Sequence, residues 1–236
     1  MANQTSLIRV FRNFKRPEPQ AVAPFADAPT GNVCDAMDRF GAMDYQIKPI
    51  DPASKMCGVA LTVRTRPGDN LAIYQALELA RAGDVLVIQT YDHTAGSVIG
   101  DLVVNNARRR GLAGIVTDGL VRDASGIRAT GLPVFARGLS PSSPFKDGGA
   151  EIGGAISCGG VAVHPGDVVV GDEDGVVVVP QAELPAVAER LQAVFEKEAK
   201  MLAAIEAGQL TNEAMLKRLA EVGVEFVEHR DWRSND

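Results

Sequence analysis

The chain has 236 residues, 46% of them hydrophobic and 23% charged, which suits one soluble globular domain or one domain with an appendage. A formal net charge of -6 argues against nonspecific nucleic-acid binding, which needs a basic face. Cys34, Cys57 and Cys158 lie far apart and form neither a disulfide framework nor a CxxC metal pattern, so a reducing cytoplasm is expected.

In chain order, residues 1 to 24 hold Pro17, Pro19 and Pro24 and read as an irregular arm. Arg9, Arg12, Lys15 and Arg16 are followed by no continuous apolar run, so this is not the pattern of a signal peptide. No apolar stretch is long enough to span a bilayer. Thr30-Gly31-Asn32 precedes Val33, Ala36, Met37 and Phe40 at helical spacing, with Gly41 as the stop. Asp35 and Asp38 fall near the start of that helix, where the helix dipole favours acidic groups. Gly58 to Arg64 alternates as a strand does, and Asp69 is placed to cap a helix running through Leu71, Ile73, Ala76, Leu77 and Leu79 to Gly83. Asp84 to Thr90 is a buried-strand run, and the loop Tyr91 to Ser97 leads into a helix opened by Gly100-Asp101. Ala113 to Thr117 and Leu132 to Ala136 are further short strands, so the spacing implies βαβ crossovers and a parallel core.

After Arg137 the character changes. Ser140 to Gly154 reads as a long loop. Ile156, Val161, Val163, Val168 to Val170 and Val176 to Val179 read as hairpin strands, with Asp174-Gly175 a strong turn signal. Residues 181 to 207 and 211 to 221 read as helices, followed by a polar tail. The expected division is an arm at 1–27, a catalytic α/β/β/α domain at 28–180 and a helical extension at 181–236.

Several chemistries lack their residues. His93, His164 and His229 are scattered, so a zinc site of histidine and cysteine is not expected; carboxylates and water would hold Mg²⁺ or Mn²⁺ instead. No GxxxxGK[ST], no GxGxxG between strand and helix and no GxSxG is present. The lysines fall in arms, loops or the terminal helix, which disfavours a Schiff base. What remains is Gly100-Asp101-Leu102-Val103 with Arg122-Asp123. Two polar turns separated by one helix and one strand often meet at one sheet edge. The helix-start amides could grip a carboxylate, Arg122 could stabilise an oxyanion, and Asp123 could ligate a divalent ion. Spacing alone favours a capped helix and a surface arginine–aspartate pair, because both dipeptides are common. Asp118-Gly119 reads as a turn, and His93 as a residue that orders its loop.

Taken together and in order, these stretches resemble the RraA-like family, which includes class II 4-hydroxy-4-methyl-2-oxoglutarate/4-carboxy-4-hydroxy-2-oxoadipate aldolases. The resemblance rests on Gly100-Asp101-Leu102 followed by Asp118-Gly119-Leu120-Val121-Arg122-Asp123. It extends to Gly83-Asp84-Val85-Leu86-Val87, Gly159-Gly160-Val161, Pro165-Gly166-Asp167 and Asp174-Gly175-Val176-Val177-Val178. It implies a layered α/β/β/α swivelling-type α/β domain with a C-terminal helical extension, assembled as a homotrimer or homohexamer. It also implies that the backbone at Gly100, Asp101, Leu102 and Val103 binds a pyruvate carboxylate, that Arg122 contacts substrate oxygens, and that Asp123 ligates Mg²⁺. By the same resemblance Asp101, Asp35 and Glu198 hold the metal's waters, Glu198 coming from an adjacent subunit. The implied activity is metal-dependent aldol cleavage of a 4-hydroxy-2-oxo acid, with oxaloacetate decarboxylation as a second outlet for the same enolate. A dedicated β-keto acid decarboxylase and a regulator that binds a ribonuclease are the alternatives. Asn105-Asn106 and the loop Tyr91-Asp92-His93-Thr94 depart from many relatives and leave the second half of the substrate open.

Overall fold

The computed structural model describes residues 6–227; the start of the expected arm, His229 and the rest of the polar tail lie outside them. β1 (Ser6–Val10) and the single turn α1 (Pro19–Val22) precede α2 (Thr30–Ala36) and a short β2 (Lys48–Pro49). Then come β3 (Met56–Thr65), α3 (Leu71–Leu79), β4 (Asp84–Gln89), β5 (Ser97–Ile99) and α4 (Asp101–Arg109). β6 (Gly114–Thr117), β7 (Leu120–Val121), α5 (Ala124–Thr130), β8 (Val134–Ala136) and β9 (Gly138–Leu139) follow. The chain continues with β10 (Gly148–Ile152), β11 (Ile156–Cys158), β12 (Val161–Val163), β13 (Val168–Asp172) and β14 (Gly175–Val179). It ends in α6 (Leu184–Glu206) and α7 (Glu213–Val222).

The expected parallel core is present. β3, β4, β6 and β8 pair side by side in parallel, with a helix in each crossover. Every residue of β4 is buried, which is why its sequence shows an apolar run rather than alternation. The two-residue period is still there, divided between two cores. Leu86, Ile88, Leu61, Val63 and Ile115 point to the side packed with Ile73 and Leu77 of α3 and Val104 of α4. Val85, Val87, Ala60, Val116 and Phe135 point to the other side, against Val169 and Val178 of the β13–β14 hairpin. Helices thus cover one face of the sheet and hairpins the other, which is the layering expected of an α/β chain whose strands carry apolar side chains on both faces.

Two expectations of irregularity are corrected. Part of the segment read as an arm forms β1, which pairs in parallel with β10 through Ile8↔Ala150 and Val10↔Ile152. The prolines that suggested irregularity all follow this strand. The stretch read as a long loop supplies β10, antiparallel to β3. Gly148 and Gly149 have φ of +85° and +83°, and the strand buries only its ends, so its sequence carries loop punctuation and no alternation. Arg16, also in the presumed arm, forms a two-pronged pair with buried Asp84, Nε to Oδ1 at 3.0 Å and Nη2 to Oδ2 at 2.7 Å.

The Asp174-Gly175 turn joins β13 to β14 as expected, with Val168 opposite Val179. α2 is shorter than its spacing suggests and ends before Asp38 and Arg39, both left-handed. Its entry is held from outside: the Thr30 N–H and Oγ1 donate to Asp172 at 2.8 and 2.6 Å. Beyond the main sheet, β5, β7 and β9 form a small parallel sheet that the sequence did not suggest. The described chain divides into a compact unit ending at Val194 and a second beginning at Phe195. In the second, the Asn212 side chain caps α7 by accepting the Met215 N–H at 3.2 Å. Among the described residues no helix is long and apolar enough to cross a membrane.

Candidate active site

β7 follows β6, and β9 follows β8, so the small sheet continues the path of the parallel core. Its three strands release three segments at one edge: Gly100 after β5, Arg122-Asp123 after β7 and Ser140 to Ser143 after β9. The Arg122 N–H donates to the Ile99 carbonyl at 3.0 Å, and the Ser140 N–H to the Val121 carbonyl at 2.9 Å. An edge where parallel strands deliver successive loops is where α/β proteins bind small ligands.

Here the two dipeptides meet. A Cβ placed on Gly100 would lie 2.6 Å from Asp123 Oδ2 and 3.1 Å from Arg122 Nε. Gly100 is the N-cap of α4 in extended conformation (φ -136°, ψ -172°), so the missing side chain, and not unusual backbone, lets these groups approach. Asp101 opens the first turn, and its carboxylate lies over Gly126 of α5, where a Cβ would be 2.6 Å from Oδ2. The Val103 N–H already donates to the Gly100 carbonyl at 3.1 Å, so the amides of Asp101 and Leu102 are the ones ahead of the helix's own bonds. Val103 and Val104 are buried and anchor the helix, while Leu102 is 78% exposed beside the site. Asn105 Nδ2 donates to the Asp101 carbonyl at 3.0 Å and Asn106 Oδ1 accepts from Arg110 Nε at 2.7 Å, so both asparagines bond within their own helix and its cap.

The Arg122 guanidinium lies between two partners. Its Nε is 3.1 Å from Asp123 Oδ2, and its Nη1 donates to Ser143 Oγ at 2.5 Å. Asp123 is the N-cap of α5 with φ +58°, a left-handed conformation that costs a non-glycine residue about 1 kcal/mol or more. The Ile127 N–H, donating to the Asp123 carbonyl at 2.9 Å, helps to hold it there. The Arg122 and Asp123 side chains are 36% and 43% exposed, so solutes reach both. A cleft of about 510 Å³ lined by Arg9, Arg64, Arg66 and Tyr91 includes none of these groups.

Asp118-Gly119 is a turn between β6 and β7, as expected, and it is tied to Thr90. Asp118 Oδ1 accepts the Thr90 N–H at 2.6 Å and the Thr90 hydroxyl at 2.8 Å, and a Cβ on Gly119 would strike Thr90 Oγ1 at 2.6 Å. Burial pushes the Asp118 carboxyl above its ordinary range, against the opposing pull of the Thr90 hydrogen bonds. A raised carboxyl binds its proton more tightly in the folded chain. Its contribution to stability is therefore full below the ordinary carboxylate pKa and declines as pH rises through the raised value. The stability difference between wild type and Asp118→Asn, followed by urea unfolding across that window, is expected to shift against wild type as pH increases; a flat difference would show that Asp118 does not titrate there.

Arg137, which carries no local signal in the sequence, ties this turn to its neighbours. Its Nε donates to the Asp118 carbonyl at 3.0 Å, Nη1 to Asp44 at 3.2 Å and Nη2 to Asp92 at 2.6 Å. His93 packs over Gly68, its Nε2 being 3.0 Å from where a Cβ would stand.

Asp35 is not gathered into this group. It is exposed on α2, which packs on β13 and β14 near the start of β3 and β4, whereas the site lies beyond the strands' other ends. Glu198 lies on α6 in the second unit. Among the described residues, no group of three or more His, Cys, Asp or Glu side chains converges to hold a metal.

Residues 30–178 match the RraA-like family, described as Aldolase/RraA. The chain belongs to this family. The match runs from the start of α2 into β14, so it takes in Asp35, Asp101, Arg122 and Asp123 and leaves Glu198 outside. This RraA-like chain is 38% identical over 162 residues to a Halalkalibacterium halodurans protein named "Putative 4-hydroxy-4-methyl-2-oxoglutarate aldolase", covering 69% of this chain and 77% of that one. An uncharacterized protein from Pseudomonas syringae pv. tomato has a similar structure, with a TM-score of 0.73, 26% identity and coverage of 83% of this chain and 96% of that one. Streptomyces coelicolor RraAS2, described as an unusual member of the RNase ES inhibitor RraA family, matches with a TM-score of 0.71 and 28% identity over 84% of this chain and 100% of that one. The α/β fold and the long C-terminal helix are those of an RraA-like protein.

Proposed function

We propose that this RraA-like protein is a divalent-metal-dependent pyruvate aldolase. Its substrate is a 4-hydroxy-2-oxo di- or tricarboxylic acid such as 4-hydroxy-4-methyl-2-oxoglutarate, cleaved to pyruvate and a second keto acid. The observation that carries this reading is the meeting of Gly100, Arg122 and Asp123 at one sheet edge beside the first turn of α4. The aldolase name of the Halalkalibacterium relative supports it.

The donor set suits Mg²⁺ or Mn²⁺. Asp123 offers an accessible hard oxygen, Asp101 lies on the adjoining helix, and Mg²⁺ commonly takes only one or two carboxylates and keeps its waters. When bound, such an ion supplies a Lewis acid for the 2-oxo group. The amides of Asp101 and Leu102 hold the substrate's 1-carboxylate at the positive end of α4. Arg122 directs its positive charge at the 2-oxo oxygen, which becomes negative as the C3–C4 bond breaks. Asp101 takes the proton of the C4 hydroxyl, and C4 becomes the carbonyl of the departing keto acid. The electron pair of the broken bond forms the enolate, and the proton held by Asp101 returns to its C3 to give pyruvate and restore the carboxylate. Asp35 and Glu198 would join this centre from other copies in a homotrimer or homohexamer. Oxaloacetate decarboxylation leaves the same enolate and is the expected second activity.

Pyruvate release from 4-hydroxy-4-methyl-2-oxoglutarate and from oxaloacetate, followed with Mg²⁺, is the direct test. Excess chelator is expected to abolish it, and added Mg²⁺ or Mn²⁺ to restore it. Activity that persists in chelator would remove the metal from the mechanism. A protein that releases no pyruvate but binds a ribonuclease would be a regulator instead.

A further inference from the structure

The third segment at the site edge, residues 140–147, belongs to neither of the stretches that the family resemblance rests on, yet it reaches the arginine. Ser143 Oγ accepts Arg122 Nη1 at 2.5 Å. The segment is long but pinned on both sides of Ser143. On one side the Ser142 carbonyl accepts both the Ser97 hydroxyl at 2.6 Å and the Ser97 N–H at 3.0 Å, and Ser97 is fully buried in β5. On the other side the Phe145 N–H donates to the Gly68 carbonyl at 2.8 Å, and the Phe145 carbonyl accepts the Asn70 N–H at 3.1 Å. Buried Asp69 then takes the Asp147 and Gly148 N–H groups at 2.5 and 3.2 Å while capping α3 through the Leu71 N–H at 2.8 Å. Asn70 Nδ2 closes the circuit by donating to the Val98 carbonyl of β5 at 3.0 Å. The strand that delivers Gly100 therefore also sets the place of Ser143.

We propose that Ser143 is a positioning residue for Arg122, a role that rests on the aldolase reading above. A guanidinium carries five N–H donors in one rigid plane. With Nε against Asp123 and Nη1 on Ser143, the plane is fixed at two corners and the Nη2 edge is presented to the substrate. Without the hydroxyl, the side chain pivots about its contact with Asp123, and its charge no longer stays on the developing oxyanion. Misplacement of a group on the scale of an ångström is enough to lower turnover severely.

The test is a set of pyruvate-release kinetics on the Mg²⁺-loaded protein. Ser143→Ala is expected to lower kcat about tenfold, with a smaller change in KM and an unchanged melting temperature, while Ser143→Thr, which keeps the hydroxyl, retains most of the activity. In an Arg122→Ala background, Ser143→Ala is expected to add less than about a twofold further loss, because the group it positions is gone. Full activity in Ser143→Ala, or an equal loss in both backgrounds, overturns the positioning role and leaves the aldolase reading intact. No pyruvate release from the wild type overturns that reading, and the role of Ser143 with it.

Discussion

Arg122→Ala is expected to reduce kcat/KM for pyruvate release by about 10²–10³-fold, the loss typical of removing one preorganised oxyanion donor. The argument is electrostatic. The guanidinium carries its charge before the reaction begins and is held by Asp123 and Ser143, so little reorganisation is needed when the 2-oxo oxygen becomes negative. The side chain is about one-third exposed and lies in no apolar core, so thermal unfolding should move little. Arg122→Lys separates charge from geometry. An ammonium keeps the charge but not the planar fork that meets two partners at once, so a partial loss, between wild type and Ala, is expected. Steady-state kinetics with a coupled pyruvate assay reads all three proteins. Wild-type rates in Arg122→Ala would place the oxyanion elsewhere.

The parts of this molecule that could be read in the sequence are those whose physics is local. Asp84 to Gln89 shows as a buried strand because both of its faces are covered, and the Asp174-Gly175 hairpin shows because its turn chemistry is its own. β5, β7 and β9 do not show, since strands of two or three residues have no period to detect; yet this small sheet is what brings Gly100 and Arg122 together. β1 and β10 were missed for another reason. They depend on each other and on β3: β10 does not alternate, and β1 alternates in burial over too few residues, with an apolar Leu7 on its exposed side, to stand out in the sequence. Among the candidate site residues, the motif pointed to Gly100, Asp101, Arg122 and Asp123, while Ser143 and Arg137 had no signal because a serine in a loop and an arginine after a strand look ordinary until their partners are placed. Asp35 marks the opposite limit. The family resemblance joins it to Asp123, but one copy of the chain keeps it near the other end of the sheet.

Gly100→Ala is expected to leave the fold intact and remove at least about 100-fold of kcat/KM, a loss on the scale of displacing a catalytic group by about an ångström. Glycine is often required because the backbone is left-handed, but Gly100 is extended, a conformation alanine adopts freely. The conflict is purely steric. The new methyl would stand 2.6 Å from Asp123 Oδ2 and 3.1 Å from Arg122 Cγ and Nε, all atoms of side chains that can swing outward. Yielding there is easier than moving β5, whose Val98 and Ile99 are buried, so the strain falls together on Asp123 and Arg122, the proposed metal ligand and the proposed oxyanion donor. The amides of Asp101 and Leu102 stay in place, so the substrate carboxylate should still bind. The variant is then expected to melt within a few degrees of wild type and to bind oxalate, a planar analogue of the pyruvate enolate, through its carboxylate with reduced affinity. Turnover falls far more than binding does, because the lost interactions are those that strengthen as charge develops. Calorimetry with oxalate beside pyruvate-release kinetics separates the two effects. Unchanged turnover in Gly100→Ala would mean that Asp123 and Arg122 can retreat from Gly100 and still work, and that the close approach seen at this edge is packing rather than catalysis.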